Sequence, residues 1–119
     1  MSDKLKIYNE AEVKEKLERE LPGWYLEGNW IRRQYKTDGW QATLMLVNSL
    51  GYVAEAAYHH PDLEVTWAKV WVKLRTHSED GITDKDFELA KKIEATVLWR
   101  PAQESVFGGG TPNKWVRGG

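Results

Sequence analysis

Two segments of this sequence alternate between apolar and polar residues with a period of two. In residues 70–75, three aliphatic residues alternate with one aromatic and two basic residues, and residues 30–36 alternate in a similar way. The residues assigned to one face are Val70, Val72 and Leu74 in the first segment and Ile31, Arg33 and Tyr35 in the second. This period is typical of a strand that buries one face. The sequence therefore predicts a sheet with one covered side.

Turn and cap signals place further elements before and between these strands. Asn9 and Glu12 have the spacing of a capping box, which predicts the start of a first helix that ends at Pro22-Gly23. A short strand is predicted over residues 24–27. Gly28-Asn29 then has the length and composition of a two-residue hairpin turn, which makes the segment from Trp30 the returning strand.

The longest predicted helix runs from Trp40 to about Ala57, with Asp38 as its expected N-cap. The helix cannot continue past Pro61, because the residue before a proline is biased out of the helical region. His59 and His60 are therefore expected at or just beyond its C-terminus. The residues expected to face inward are Leu44, Val47, Leu50, Gly51 and Ala54.

The remaining pattern completes the predicted fold. Residues 63–67 indicate a third strand, and Thr83 is the expected cap of a last helix with Phe87 and Ile93 on its apolar side. The order helix, strand, strand, helix, strand, strand, helix predicts an α+β fold, a four-stranded antiparallel sheet with helices on one face. Residues 1–101 are predicted to form this domain. Residues 102–119 form a glycine-rich tail that is expected to be flexible or to lie on the surface.

Composition excludes several classes of protein. The 119 residues fit one domain, and the formal net charge of −1 gives no basic excess that would indicate a nucleic-acid partner. The chain contains no cysteine, which excludes disulfides and thiolate metal sites. No apolar run is long enough for a signal peptide or a membrane span, so we expect a cytoplasmic protein without a membrane partner.

All three histidines of the chain fall in one region, as His59, His60 and His77. A strand that returns along the sheet would bring His77 to the end of the long helix. Glu55 lies four residues before His59, a spacing at which the carboxylate can orient the imidazole. Two histidines and a carboxylate suffice for acid/base catalysis without a metal or a cofactor. The residues alone leave an inert surface cluster equally open, whereas the i, i+4 histidine pair of many zinc sites is missing.

A longer motif surrounds these histidines. Glu55, His59-His60-Pro61, Trp67, His77 and Asp86 follow one another at set spacings. The motif resembles that of the pterin-4a-carbinolamine dehydratases, and the resemblance covers roughly residues 10 to 98. It extends to Leu21-Pro22-Gly23-Trp24 and to Gly81-Ile82-Thr83.

The resemblance implies an enzyme that removes water from 4a-hydroxytetrahydrobiopterin to give the quinonoid dihydropterin. By this resemblance, His59 and His77 are the acid/base pair, His60 binds and orients the pterin, and Glu55 supports the histidines. No cofactor and no metal would be needed. The residues expected to bind the substrate are Tyr58, His59, His60, Pro61, Trp67, Arg75, Thr76, His77 and Ser78. Trp67 is equally explained as a structural residue of the third strand.

The resemblance also implies a competing function from another class. Proteins of this fold serve as non-catalytic binding modules, either as assembly factors or as coactivators that stabilise a partner's dimer. The intact His-His-Pro sequence favours catalysis. The resemblance further implies a homodimer or a homotetramer, and it leaves open which pterin is the physiological substrate and what the glycine-rich tail does.

Overall fold

The α+β class predicted from the sequence is confirmed. A computed structural model describes residues 5–118 of the chain. Three helices and a 3-10 turn alternate with five strands. In chain order these are α1 (Glu10–Glu20), β1 (Tyr25–Glu27), β2 (Trp30–Thr37), α2 (Trp40–Ala57), β3 (Asp62–Val65), β4 (Lys69–Leu74), the 3-10 turn (His77–Glu79), α3 (Asp84–Val97) and β5 (Val116–Gly118). In the described part of the chain, no helix is both long enough and apolar enough to cross a membrane.

The sheet is antiparallel and has the strand order β1-β2-β4-β3. Its centre is the pairing of β2 with β4, in which Ile31 lies opposite Leu74 and Tyr35 lies opposite Val70. These four side chains are completely buried and form the floor of the core. The alternation in the sequence therefore assigned the inner face of both central strands correctly.

The sheet has a fifth strand that the sequence did not predict, because it lies within the glycine-rich tail. β5 pairs with the end of β2, with Val116 opposite Thr37. The tail before β5 turns sharply at Gly108, Gly109 and Gly110, whose φ angles of +55°, +88° and +80° favour glycine. The guanidinium of Arg100 donates to the carbonyl of Val116 at 2.6 Å and closes the loop. The end of the tail is thus paired with the sheet.

Two of the three predicted helix caps are confirmed, and one is wrong. The Asn9–Glu12 capping box is present, and the Thr83 side chain accepts a hydrogen bond from the backbone of Lys85. At α2 the N-cap is Gly39 rather than Asp38, and no side chain caps the helix. The reason is backbone conformation. The chain enters α2 with a φ of +152° at Gly39, which side-chain-bearing residues rarely adopt.

The inward stripe of α2 is rotated from the predicted one. Leu50 and Ala54 are buried as expected, but Leu46 and Val53 accompany them, and Leu44 and Gly51 face outward. Since apolar residues occur nearly all round α2, the 3.6-residue period alone does not fix which side faces the sheet. The consequence is an apolar outer side, formed by Trp40, Leu44, Met45 and Tyr52.

A cluster of hydrogen-bonded polar side chains in the core connects α3 to the sheet. One carboxylate oxygen of Glu94 accepts hydrogen bonds from Trp24 Nε1 at 3.0 Å, Arg33 Nε at 2.8 Å and the Tyr35 hydroxyl at 2.6 Å. Burial, and then the bond to Glu94, raise the pKa of Tyr35 above its ordinary range. Arg33, which the alternating pattern placed on the inner face, is neutralised there by Glu94.

We expect Glu94→Ala to lower the free energy of unfolding by about 2–4 kcal/mol, because it leaves the buried guanidinium of Arg33 without a counter-charge. The matched control is Glu88→Ala, which removes an exposed carboxylate of the same helix that pairs with Lys91. We expect the control to change stability by no more than about 0.5 kcal/mol. Urea unfolding followed by tryptophan fluorescence measures both, and equal effects would contradict the role given to Glu94.

Candidate functional site

His59 lies where α2 ends. Tyr58 caps the helix in the left-handed conformation, with a φ of +51°, and turns the chain so that His59 points back under the helix. The backbone N–H of His59 still donates to the carbonyl of Ala54. The side chain of His59 is 12% exposed, and its Nε2 lies 2.7 Å from Oδ1 of Asp86. The histidine is therefore fixed by both its backbone and its ring.

Asp86 is completely buried in the first turn of α3. Its second carboxylate oxygen accepts from the Thr76 hydroxyl at 2.8 Å and from the backbone N–H of Thr83 at 3.0 Å. Thr76 lies at the end of β4 and Thr83 caps α3, so this one carboxylate connects the sheet and two helices. A buried carboxylate needs such donors, because an ion without them carries a large desolvation cost.

The chain of donors assigns the tautomer of His59. The backbone N–H of Lys85 donates to the Thr83 hydroxyl oxygen, the Thr83 hydroxyl lies 2.7 Å from that of Thr76, and the Thr76 hydroxyl donates to Asp86. An ionised carboxylate only accepts hydrogen bonds, so His59 donates to ionised Asp86 through Nε2–H. The other ring nitrogen, Nδ1, is left to exchange a proton with a ligand.

His60 has a carboxylate of its own. Its Nε2 lies 2.7 Å from Oε1 of Glu55, one turn back on α2, and both side chains are more than half exposed. The sequence suggested that Glu55 orients His59. In the structure Glu55 contacts His60 instead, because the left-handed Tyr58 rotates His59 away from the helical face that carries Glu55. The Tyr58 ring packs edge-on against the His60 ring at 5.4 Å between centroids.

His77 begins the 3-10 turn directly after Thr76, so the residue before it is bound to the same carboxylate as His59. Its ring is exposed and lies edge-on to the indole of Trp30, with 5.7 Å between centroids. The guanidinium of Arg75 lies over the same indole, 5.5 Å from its centroid, and also binds Asp80. Ser78 is exposed beside His77.

The expected site residues, apart from Trp67, lie in two segments that Asp86 links through His59 and Thr76. One segment follows α2 and contains Tyr58, His59, His60 and Pro61. The other follows β4 and contains Arg75, Thr76, His77 and Ser78. Trp67 lies elsewhere: its carbonyl accepts from the Thr43 hydroxyl at 2.7 Å, near the start of α2. Since α2 rises about 1.5 Å per residue, this places Trp67 on the order of 20 Å from the end of the helix where His59 lies.

Two residues of the site were not recognised from the sequence. Asp86 belonged to the motif, but it was not expected to bind a histidine. Trp30 was expected only as an outward residue of β2, and its indole lies beside His77. The sequence of β2 does not distinguish Trp30 from an aromatic residue on the outer face of any other strand.

The surroundings of the site are open. A cavity of about 700 Å³ lies at the other end of α2, between Met45, Val97, Phe107 and Trp115, and not at the histidines. Within residues 5–118, no three histidine or carboxylate side chains are arranged to hold a metal ion. The arrangement holds the imidazole of His59 on Asp86 and places His77 directly after Thr76, which binds the same carboxylate. Such a pair can give a proton to one atom of a ligand and take a proton from another.

The chain is similar in sequence to known proteins. Residues 6–96 match the family model of the pterin 4 alpha carbinolamine dehydratases. A candidate pterin-4-alpha-carbinolamine dehydratase of Aquifex aeolicus is 46% identical over 89 residues, which are 75% of this chain and 89% of the relative.

Two solved structures are similar to this one. A transcriptional coactivator/pterin dehydratase from Brucella melitensis is 33% identical and has a TM-score of 0.69, covering 76% of this chain and 97% of that chain. A pterin dehydratase-like protein identified as a RuBisCO assembly factor in the alpha-carboxysome has a TM-score of 0.54 over 61% of this chain and 87% of that chain. At 14% identity, this second likeness shows the fold alone. By its sequence match and its structure, the chain belongs to the pterin 4 alpha carbinolamine dehydratase family.

Proposed function

We propose that this chain is a 4a-hydroxytetrahydrobiopterin dehydratase that acts in the recycling of tetrahydrobiopterin. The observation that carries the proposal is the buried link from His59 through Asp86 to Thr76, which holds one imidazole and positions the residue that precedes the second. Such an orienting carboxylate is typical of histidines that transfer protons. Capping of α3 uses only Oδ2 of Asp86, whereas Oδ1 binds His59, a contact that capping does not require.

The proposed reaction is an elimination without oxidation or reduction. One of the two histidines, His59 or His77, gives a proton to the 4a-hydroxyl group, and the C4a–O bond breaks as water leaves. The lone pair of N5 forms the C4a=N5 double bond, and the second histidine takes the proton from N5. The balance is one pterin giving one quinonoid dihydropterin and one water. No metal or cofactor takes part, and His60, supported by Glu55, binds and orients the pterin.

The competing function is that of a non-catalytic binding module. The relatives include one described as a coactivator and one described as an assembly factor. The apolar outer side of α2, formed by Trp40, Leu44, Met45 and Tyr52, is the kind of surface that binds another protein. Such binding does not exclude catalysis, because this side and the histidines are separate surfaces. The cytoplasmic location expected from the sequence stays a prediction.

The direct test is a stopped-flow ultraviolet assay of synthetic 4a-hydroxytetrahydrobiopterin. The protein should accelerate dehydration over the spontaneous rate, and His59→Ala and His77→Ala should each lower the acceleration by about 10²–10⁴-fold, because each removes a proton-transfer group. The control is Glu18→Ala, an exposed change on α1, away from the histidines. Normal turnover in both histidine variants would contradict the catalytic assignment. No acceleration by the folded wild-type protein would favour the binding module.

We also expect the protein to be a homodimer or a homotetramer, because the apolar side of α2 leaves large side chains in water, with Tyr52 78% exposed. Light scattering at micromolar concentration should give a multiple of the 13.8 kDa chain mass. Leu44→Glu together with Met45→Glu should shift the protein towards a smaller species without unfolding it. A wild-type monomer would refute this expectation.

A further inference from the structure

Positive charge is concentrated on the open sheet face, which we define as the side of the sheet opposite the buried residues Ile31 and Tyr35. The chain as a whole has a formal net charge of −1. By strand register and alternation, six cationic side chains project from the open sheet face. They are Arg32, Lys36, Lys69, Lys73, Arg75 and Arg117. Four carboxylates accompany them: Glu27 pairs with Arg32, Asp80 pairs with Arg75, and Asp62 and Glu64 lie on β3. The formal net charge of the whole chain, which gave no indication of a nucleic-acid partner, therefore conceals a local excess of positive charge on this face.

Three of the cations form one row across three strands. Lys36 of β2 lies opposite Arg117 of β5 on one side and opposite Lys69 of β4 on the other. Within the described residues, none of the three lies within 4 Å of a carboxylate side chain, as the ion pairs of the structure show. Like charges directly opposite one another destabilise a sheet. A bound polyanion would remove this repulsion, and the glycine-rich tail supplies one of the three charges.

Aromatic side chains lie between the cations. The Arg32 guanidinium is 4.9 Å from the ring centroid of Trp71, and the Lys73 ammonium is 4.5 Å from that of Trp30. Indole rings and guanidinium planes are the side-chain surfaces on which unstacked bases pack in proteins that bind single strands. A face that presents phosphate-binding cations and base-stacking planes in alternate rows has both parts of such a site.

The open sheet face also contains a depression of about 210 Å³. Its lining includes Trp71, Arg32 and Lys73 together with the carboxylate residues Asp62 and Glu64. These carboxylates lie across the strand pair from Lys73 and Trp71, respectively. In a purely electrostatic site they would oppose an anion. Carboxylates accept hydrogen bonds from the exocyclic amino group of cytosine. Uracil and thymine present a carbonyl oxygen at the same position.

We propose that the open sheet face binds single-stranded nucleic acid. The phosphates lie along Arg117, Lys36 and Lys69. One base occupies the depression beside Trp71, where an amino-bearing base is preferred. A duplex does not fit this arrangement, because its bases are paired and their faces are stacked on one another. The two surfaces share Arg75 and Trp30, but the residues substituted in the test, Lys36, Lys69 and Trp71, are not part of the histidine site.

The test is fluorescence anisotropy with two probes of equal length, labelled oligodeoxycytidine and labelled oligothymidine, at low and at moderate salt. The wild-type protein should bind oligodeoxycytidine more tightly, and its affinity should fall as salt rises. Lys36→Glu with Lys69→Glu should weaken binding by roughly tenfold or more, since two phosphate contacts become repulsive. Trp71→Ala should weaken binding by about tenfold through lost stacking.

The matched control is Lys14→Glu with Lys92→Glu, which makes the same change of net charge on helices α1 and α3. The control should bind nearly as well as the wild type, and all variants should keep the wild-type circular dichroism. If the tryptophan variant fails to fold, Trp71→Leu replaces it.

Three outcomes would overturn the proposal: no binding by the wild type at low salt, equal weakening in the control, or equal binding of a labelled duplex. Equal affinity for the two homopolymers would overturn the placement of a base in the depression. Turnover of 4a-hydroxytetrahydrobiopterin by the Lys36/Lys69 variant is measured in parallel, so that failure of the binding proposal is distinguished from failure of the enzymatic one.

Discussion

The hydrogen bonds to the buried carboxylate of Asp86 are the interaction on which the site depends. The carboxylate lies where the end of β4, the start of α3 and the end of α2 meet, and it takes one donor from Thr76, one from Thr83 and one from His59. Because an unpaired carboxylate in this place is costly, the three elements are held in one arrangement. The same bonds that stabilise the fold therefore fix the ring of the histidine.

α3 carries the other polar cluster of the core as well. Glu94 lies two turns beyond Asp86, on the same side of the helix, and binds Arg33 and Tyr35 of β2. One helix thus connects to the central strand at one end and to both halves of the site at the other. Neither the outer side of α2 nor the open sheet face contributes a side chain to these two polar clusters. Those two surfaces are where binding of another protein and of a polyanion are proposed.

The elements were predictable where a local signal was strong, as the alternation in β2 and β4 and the capping boxes at Asn9 and Thr83 show. β5 was missed because its pairing with β2 joins residues far apart in the sequence, such as Thr37 and Val116, and a glycine-rich segment gives no periodic signal. The cap of α2 and the partner of Glu55 were wrong for a related reason: each depends on a positive φ angle, at Gly39 or Tyr58. The motif named the three histidines, but only the structure shows that Asp86 binds His59 and that Trp30 lies beside His77.

The most direct test of this account is the turnover of 4a-hydroxytetrahydrobiopterin by Asp86→Asn, compared with the melting temperature of the same variant. If the amide oxygen of the new side chain keeps the bonds from Thr76 and Thr83, its NH₂ group faces Nε2 of His59 and requires the opposite tautomer. We predict that turnover falls by about 10²–10⁴-fold while the protein stays folded. Wild-type turnover in a folded Asp86→Asn protein would show that the buried carboxylate only caps the helix.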